Sequence, residues 1–421
     1  MAGKSTIDSV ISELRRHRPR KDDAGTYDVD RSTTNIMSKV NYVLRSGLDP
    51  FDRVTGGIPF GRVTEIYGLE SCGKSALVQL LAVQAQRGEV YDRIKNEKLQ
   101  NPNVTVLYID NEQSLDSGER AVIDGTPLDV ILARCDTVDD LFRIVDVTIN
   151  AISKVETETG IPQYIVIVVD TIAGTSSKEE MSQDWSKEDF NRQAKFMSKG
   201  FRRMRLAFTR HNVAMICVNQ VRDSFKAKLL AGRFVNEPQD DDFTTFGGRA
   251  LKFYSSLRVF MHAISKNYRL SKSTRFSQGL LIHFIATKNR LMKPFRYGRM
   301  ALLFEGGLNN TYSRLETLIA LHVAEIKKDG TGRIQFMFER HGVSAESFKL
   351  SGRQRNPEIG SKAEWPAFYS DHRQDFDKLW ETAINLMFVD AQSGNEAADE
   401  LDVDDVEDAV DAKEYDPLTE A

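Results

Sequence analysis

The chain has 421 residues, 41% hydrophobic and 28% charged, with 57 Lys and Arg against 61 Asp and Glu and a net charge of −4. That length suffices for two or three domains with a sizeable core; no apolar run approaches a membrane span, and Met1-Ala2-Gly3-Lys4-Ser5 lacks the apolar core of a signal peptide. Three widely spaced cysteines (Cys72, Cys135 and Cys217) argue against a disulfide framework or a cysteine-rich zinc site and for a reducing, cytoplasmic setting.

In chain order, residues 5–17 predict an amphipathic helix. Ile7, Val10, Ile11 and Leu14 recur at helical spacing, and Arg15, Arg16 and Arg18 gather near its end. The polar run Pro19-Arg20-Lys21-Asp22-Asp23-Ala24-Gly25 reads as a linker. A helix set apart in this way carries an apolar stripe that needs cover, from its own core or from a neighbouring subunit. Between Ser46 and about Asn309 strand and helix patterns alternate, which predicts an α/β core. Strands are expected at residues 63–67, 104–109, 130–132, 164–169, 213–218, 257–262, 281–287 and 300–304. The run Tyr164-Ile165-Val166-Ile167-Val168-Val169 is almost wholly apolar, as a central strand covered on both faces must be.

The polar segments 86–102 and 231–245 read as loops or insertions. Residues 310–388 form a smaller α+β segment that closes with a helix around 376–387. From Asp390 onward thirteen acidic residues face the single Lys413, so residues 390–421 carry −12 and the first 389 carry +8. A basic body with an acidic tail suits a nucleic-acid partner. A solvated tail that only aids solubility is the plainer alternative. The resulting domain expectation is 1–45 for helix and linker, 46–309 for the core, 310–388 for the small domain and 389–421 for the tail.

Chemistry enters with Gly68-Leu69-Glu70-Ser71-Cys72-Gly73-Lys74-Ser75, a complete G-x-x-x-x-G-K-[ST] phosphate-binding loop between a strand pattern and a helix pattern. Its backbone N–H groups would cradle a triphosphate at a helix N-terminus. Lys74 would reach the β and γ phosphates, and the Ser75 hydroxyl would ligate Mg²⁺. Asp170 ends the apolar 164–169 strand, where a carboxylate can hold hydrated Mg²⁺. Leu107-Tyr108-Ile109-Asp110-Asn111-Glu112 brings two more carboxylates to the same edge. Either Glu112 or Asp110 could polarise the attacking water, and periodicity does not choose between them. Asn219-Gln220 ends the strand expected at 213–218, where an amide could contact the γ phosphate. It leads into a polar, basic stretch (Arg222, Phe225, Lys226, Lys228, Arg233) that closes at Gly247-Gly248 and suits single-stranded nucleic acid.

These segments together resemble the RecA family of recombinases, over roughly residues 40–310 and more weakly to 388. Gly56-Gly57-Ile58-Pro59-Phe60-Gly61-Arg62, Glu65-Ile66-Tyr67-Gly68 and Glu70-Ser71 are similar to the approach to that family's phosphate loop. Tyr108-Ile109-Asp110 with Glu112 resembles its catalytic-glutamate segment, and Asn219-Gln220-Val221-Arg222 its sensor. Gly247-Gly248-Arg249-Ala250-Leu251-Lys252-Phe253-Tyr254-Ser255 resembles the segment that closes the second DNA loop. Lys288-Asn289-Arg290, then Pro294-Phe295, resembles the segment that donates cations to a neighbour's ATP.

The resemblance implies a RecA-like core with a mostly parallel central sheet, an N-terminal helical polymerisation segment and a small α+β C-terminal domain. It implies Glu112 as general base, Gln220 as the link between γ phosphate and DNA loop, and Lys288 and Arg290 acting in trans, Arg290 replacing the family's lysine. Asp116 would lie near the adenine, although Glu119 stands where the family has a stacking tyrosine. DNA contacts are implied for Phe190, Lys195, Ser198, Arg202, Arg203, Arg222, Phe225, Gly247 and Gly248, with the first DNA loop near residues 178–189. For Phe190 and Phe225 a core anchor is the plainer reading. The implied function is ATP- and Mg²⁺-dependent filament formation on single-stranded DNA and strand exchange with a homologous duplex. A ring helicase or remodelling motor, or an ATP-dependent loader, are the alternatives. The long second loop fits a phage-type member as well as a bacterial one.

Overall fold

The computed structural model describes residues 40–113, 115, 122–123, 126–174, 188–221, 245, 249–329, 331–341 and 357–389. The helix expected at 5–17, most of the 231–245 segment and the acidic tail lie outside them. The chain divides into residues 1–41, of which only 40 and 41 are described, and Tyr42–Ala421.

In order, the elements are β1 (Tyr42–Leu44), α1 (Asp49–Thr55), β2 (Ile58–Pro59), β3 (Arg62–Gly68), α2 (Lys74–Gln86), β4 (Val90–Asp92), β5 (Glu97–Lys98) and β6 (Asn103–Asp110). Next come β7 (Val122–Ile123), β8 (Thr126–Pro127), β9 (Ile131–Ala133), α3 (Val138–Thr159), β10 (Gln163–Asp170), α4 (Glu188–Arg210) and β11 (Val213–Gln220). The chain continues with α5 (Arg249–Tyr254), β12 (Ser255–Tyr268), β13 (Gly279–Asn289), β14 (Tyr297–Leu303) and β15 (Gly307–Asn309). It closes with α6 (Asn310–Ala320), β16 (Ala324–Ile326), β17 (Ile334–Phe336), β18 (Glu358–Ile359), α7 (Trp365–Asp371) and α8 (Arg373–Val389). All eight expected core strands are present, with ends shifted by one to several residues.

The main sheet runs β15-β14-β13-β12-β3-β11-β10-β6-β9. From β12 to β9 neighbouring strands are parallel, while β13, β14 and β15 add antiparallel pairs on one side. Parallel strands must be covered on both faces, and β10 meets this requirement with apolar residues at every interior position. Val166 and Val168 join Leu77 and Leu81 of α2 on one side. Ile165, Ile167 and Val169 join Leu141 and Val145 of α3 and Phe201 and Met204 of α4 on the other. Registers Asp170↔Asp110 and Gln220↔Gly68 then bring the carboxyl ends of β10, β6, β11 and β3 to one edge.

Residues 86–102, read as a loop or insertion, contain β4 and β5. These pair with each other and, through β1, with β2 in a four-stranded antiparallel sheet. Strands of two or three residues give periodicity too little length to register. β1 falls inside the segment read as linker. The C-terminal elements pack in a cluster shared with Tyr268, Leu281 and Ala301 of β12–β14, where Trp365 stacks on Phe336 (5.2 Å) and meets Phe376 edge-on (4.8 Å). The closing helix is longer than expected, running from Arg373 to Val389. No described helix is long and apolar enough to cross a membrane.

Candidate nucleotide site

The loop between β3 and α2 is shaped by backbone that few residues tolerate. Gly73 adopts φ +80°, and a Cβ there would lie 2.8 Å from Ile282 Cδ1. At Gly68 a Cβ would fall 1.9 Å from the Met261 carbonyl oxygen, because β12 runs against the base of the loop. Only glycine meets both demands. The 7%-exposed Lys74 donates from Nζ to the carbonyls of Leu69 (2.5 Å) and Gly68 (3.3 Å), which hold its ammonium at the mouth of the loop. Cys72 Sγ donates to the Leu69 carbonyl (2.9 Å), and burial pushes its thiol up against the opposing pull of Lys74. All three cysteines are free and buried.

Residues 70–76, Glu112, Thr171, Val218 and Gln220 line an open cavity of about 350 Å³. Asp170 lies at the end of β10, fully buried, and its Oδ2 accepts a hydrogen bond from Tyr108 OH at 2.9 Å. The Asp170–Thr171 peptide is cis. Burial pushes the Asp170 carboxyl above the usual carboxylate range; Ser75 and Tyr108 oppose the rise, and Glu112 and Asp110 add to it. Its Oδ1, and Thr171 Oγ1 beside it, are buried without a hydrogen-bond partner. Buried polar atoms are ordinarily satisfied. Two oxygen acceptors left over beside Ser75 are hard donors of the type Mg²⁺ takes, usually with several waters kept, so these residues fit the cation.

Backbone geometry separates the two candidate bases. The N–H groups of Asn111 (2.8 Å) and Glu112 (3.3 Å) donate to the Asp170 carbonyl, turning the chain toward the phosphate loop after β6. Glu112 is exposed on the cavity wall and accepts from Gln220 Nε2 at 3.1 Å. Asp110 is fully buried and accepts from the Leu115 N–H (3.0 Å).

Lys288 and Arg290 are not among the cavity residues. Arg258 on β12 pairs with Lys288 across to β13 and with Glu65 across to β3. Lys288 therefore stands three residues and two strands away from Gly68, about 14 Å at ordinary strand dimensions. Its Nζ donates to the carbonyls of Lys252 (2.7 Å) and Phe253 (3.3 Å) at the end of α5. Asn289 fixes the turn beyond it, donating to the Thr55 carbonyl (2.9 Å) and accepting from the N–H groups of Leu291 (2.8 Å) and Met292 (3.0 Å).

On α4, Met197, Phe201, Met204 and Phe208 face the core. Lys195 and Arg202 are exposed and Ser198 is half-buried, along one stripe. Arg203, turned by a further 100°, leans toward α3 and pairs with Asp146 (3.3 Å). Val221 and Thr245, on either side of residues 222–244, form an isolated antiparallel bridge. Asp116, Arg222, Phe225, Gly247, Gly248 and the Phe190 side chain lie outside the described residues.

Sequence reasoning named Tyr108, Thr171, Glu65 and Asn219 only within motif segments and missed the hydrogen bond of Tyr108 to Asp170 and the buried trio that Glu65 and Asn219 form with Arg258. The last had a signal, since Glu65 and Arg258 are charges inside apolar strand patterns.

A phosphate loop at the end of a central parallel strand, with carboxylates at the same edge two and three strands away on β10 and β6, defines a P-loop NTPase core. The model of the RecA N-terminal domain matches residues 35–309, and the chain belongs to the RecA family. It is 29% identical over 273 residues to the Protein RecA of Chlamydia felis, covering 65% of this chain and 67% of that one. The Protein RecA of Thermus aquaticus is 29% identical over 270 residues, covering 64% and 68%.

Proposed function

We propose that the protein is a DNA-dependent ATPase that polymerises on single-stranded DNA, with ATP and Mg²⁺ between protomers, and pairs and exchanges it with a homologous duplex. The observation that carries this reading is the divided site. Lys74, Ser75, Asp170, Glu112 and Gln220 gather at one edge of the sheet, while Lys288 and Arg290 stand too far away to serve the same phosphates.

In this reading Lys74 neutralises the β and γ phosphates, and the N–H groups of the loop orient them. Mg²⁺, when bound by Ser75 and Asp170, offsets the charge that builds on the phosphate oxygens. Glu112 takes the proton of the attacking water. Gln220 senses the γ phosphate and opens the second DNA loop. Lys288 and Arg290 reach the nucleotide of the adjacent protomer as cationic fingers. Asp116 would lie near the adenine.

Lys195, Ser198, Arg202 and Arg203 on α4, with Arg222, Gly247 and Gly248, would line DNA phosphates, and Phe190 and Phe225 would wedge between bases. Residues 1–45 would serve polymerisation, 46–309 ATP and DNA, 310–388 a small accessory domain, and 389–421 charge competition with DNA, in a cytoplasmic protein.

The test is electron microscopy of the full chain with single-stranded DNA and a non-hydrolysable ATP analogue. Open helical filaments are expected. Closed hexameric rings would overturn the reading in favour of a ring motor.

A further inference from the structure

Glu65 on β3 and Arg258 on β12 form an ion pair inside the sheet, both side chains at 0% exposure, with Arg258 Nε donating to Glu65 Oε2 at 2.5 Å. Such a pair carries a large desolvation penalty, and well-packed apolar residues commonly stabilise a fold as well or better. Its neighbours suggest what else it does. Glu65 Oε1 accepts from Asn219 Nδ2 at 3.0 Å. Asn219 Oδ1 in turn accepts the backbone N–H of Gln220 at 2.9 Å. The Gln220 side chain reaches Glu112 on the cavity wall.

On its other side the Arg258 guanidinium lies over the Tyr67 ring, 4.4 Å from its centroid. Tyr67 OH bonds Thr287 Oγ1 at 2.8 Å. Thr287 immediately precedes Lys288, the cross-strand partner of Arg258. One carboxylate thus accepts from both the strand that ends in the sensor amide and the strand that pairs with the finger segment.

We propose that Glu65, Asn219 and Arg258 are positioning residues that tie the γ-phosphate end of one ATP site to the Lys288–Arg290 segment serving the next, so that hydrolysis at one site depends on its neighbours. The proposal rests on the reading of ATP held between protomers. Gln220 has two acceptors available in turn, the Glu112 carboxylate and the γ phosphate, and exchanging them moves the end of β11. Asn219 transfers that movement through its hydrogen bond to the fully buried Glu65. The paired charges resist separation in this low-dielectric interior, so the displacement is shared with β12 and with the turn that holds Lys288.

The experiment measures ATP hydrolysis by the full chain against ATP concentration, with oligothymidylate as single-stranded DNA, alongside binding of a fluorescent ATP analogue and thermal melting. Glu65→Gln keeps the shape and removes the charge. It is expected to bind nucleotide within about 3-fold of the parent while DNA-stimulated turnover falls about 10-fold and the Hill coefficient for ATP drops toward unity. Asn219→Ala leaves the ion pair in place and is expected to lose the same cooperativity, which preserves the test if Glu65→Gln does not fold. Parental turnover and Hill coefficient in Asn219→Ala, with only a lower melting temperature, would mean that the trio is merely structural. A parent protein that hydrolyses ATP with DNA but without cooperativity would also overturn the proposal, leaving the ATPase reading intact. A parent with no DNA-stimulated hydrolysis would instead remove the reading beneath it.

Discussion

Asp170→Asn separates the cost of the site from its use. The carboxyl is fully buried, one oxygen is satisfied by Tyr108 and the other has no hydrogen-bond partner. Burial, with Glu112 and Asp110 nearby, disfavours its charged form. An asparagine keeps the acceptor for Tyr108 and removes the buried charge. An unsatisfied buried polar group costs about 1–3 kcal/mol, and more when it is charged. Removing the charge should stabilise the nucleotide-free protein by about 1–2 kcal/mol, or about 1–3 °C in melting temperature for a unit of 380 residues. Mg·ATP at a hundred times its dissociation constant should raise the parent's stability by about 2.7 kcal/mol, and the variant should lose most of that increment because the cation loses a charged ligand. Differential scanning fluorimetry with nucleotide, with and without Mg²⁺, reads both effects. A variant that melts lower without nucleotide, yet keeps the full Mg·ATP shift, would refute the assignment of Asp170 as a cation ligand under strain.

Glu112→Gln should bind a fluorescent ATP analogue normally and hydrolyse ATP about 10²–10⁴-fold more slowly; turnover near the parent's would return the role of base to Asp110. Gly73→Ala should cost about 1–3 kcal/mol from the positive φ, with a further clash at Ile282, and should lose nucleotide affinity. Melting and binding both at parental values would show that the loop does not need this conformation. Burial, with Arg299 adding, lowers His262 to about 4, and burial together with His262 lowers His283 well below its usual value. Because the unfolded chain takes up these protons near pH 6.5, stability should be fully present above that pH. It should fall as pH drops from about 6.5 toward 4, by at most about 1.4 kcal/mol per pH unit for each histidine. Urea titrations at several pH values check this slope, and His262→Asn should reduce it by one proton; an identical slope in the variant would exclude the pair as its source.

The loop from Gly68 to Ser75 was legible in the sequence because its chemistry is contiguous. Strand, turn and helix follow one another within 25 residues, and the left-handed backbone at Gly73 is a local demand. The apolar run ending in Asp170 was legible for the same reason, since a strand covered on both faces needs no knowledge of what covers it. Other features depended on register. Asp110 and Glu112 are two residues apart, and their different fates follow from the pairing of β6 with β10, which buries one and lets the Asp170 carbonyl turn the other outward.

Glu65, Asn219 and Arg258 are separated by 154 and 193 residues, and nothing local marks them as partners. The sequence alone determined that this chain holds a phosphate loop, its strands and two strand ends that bear carboxylates, because short-range sterics and hydrophobic alternation suffice for those. Only the tertiary structure decided which carboxylate faces the cavity, and that Lys288 and Arg290 stand away from it, because strand order and pairing register are set by long-range packing of the sheet as a whole.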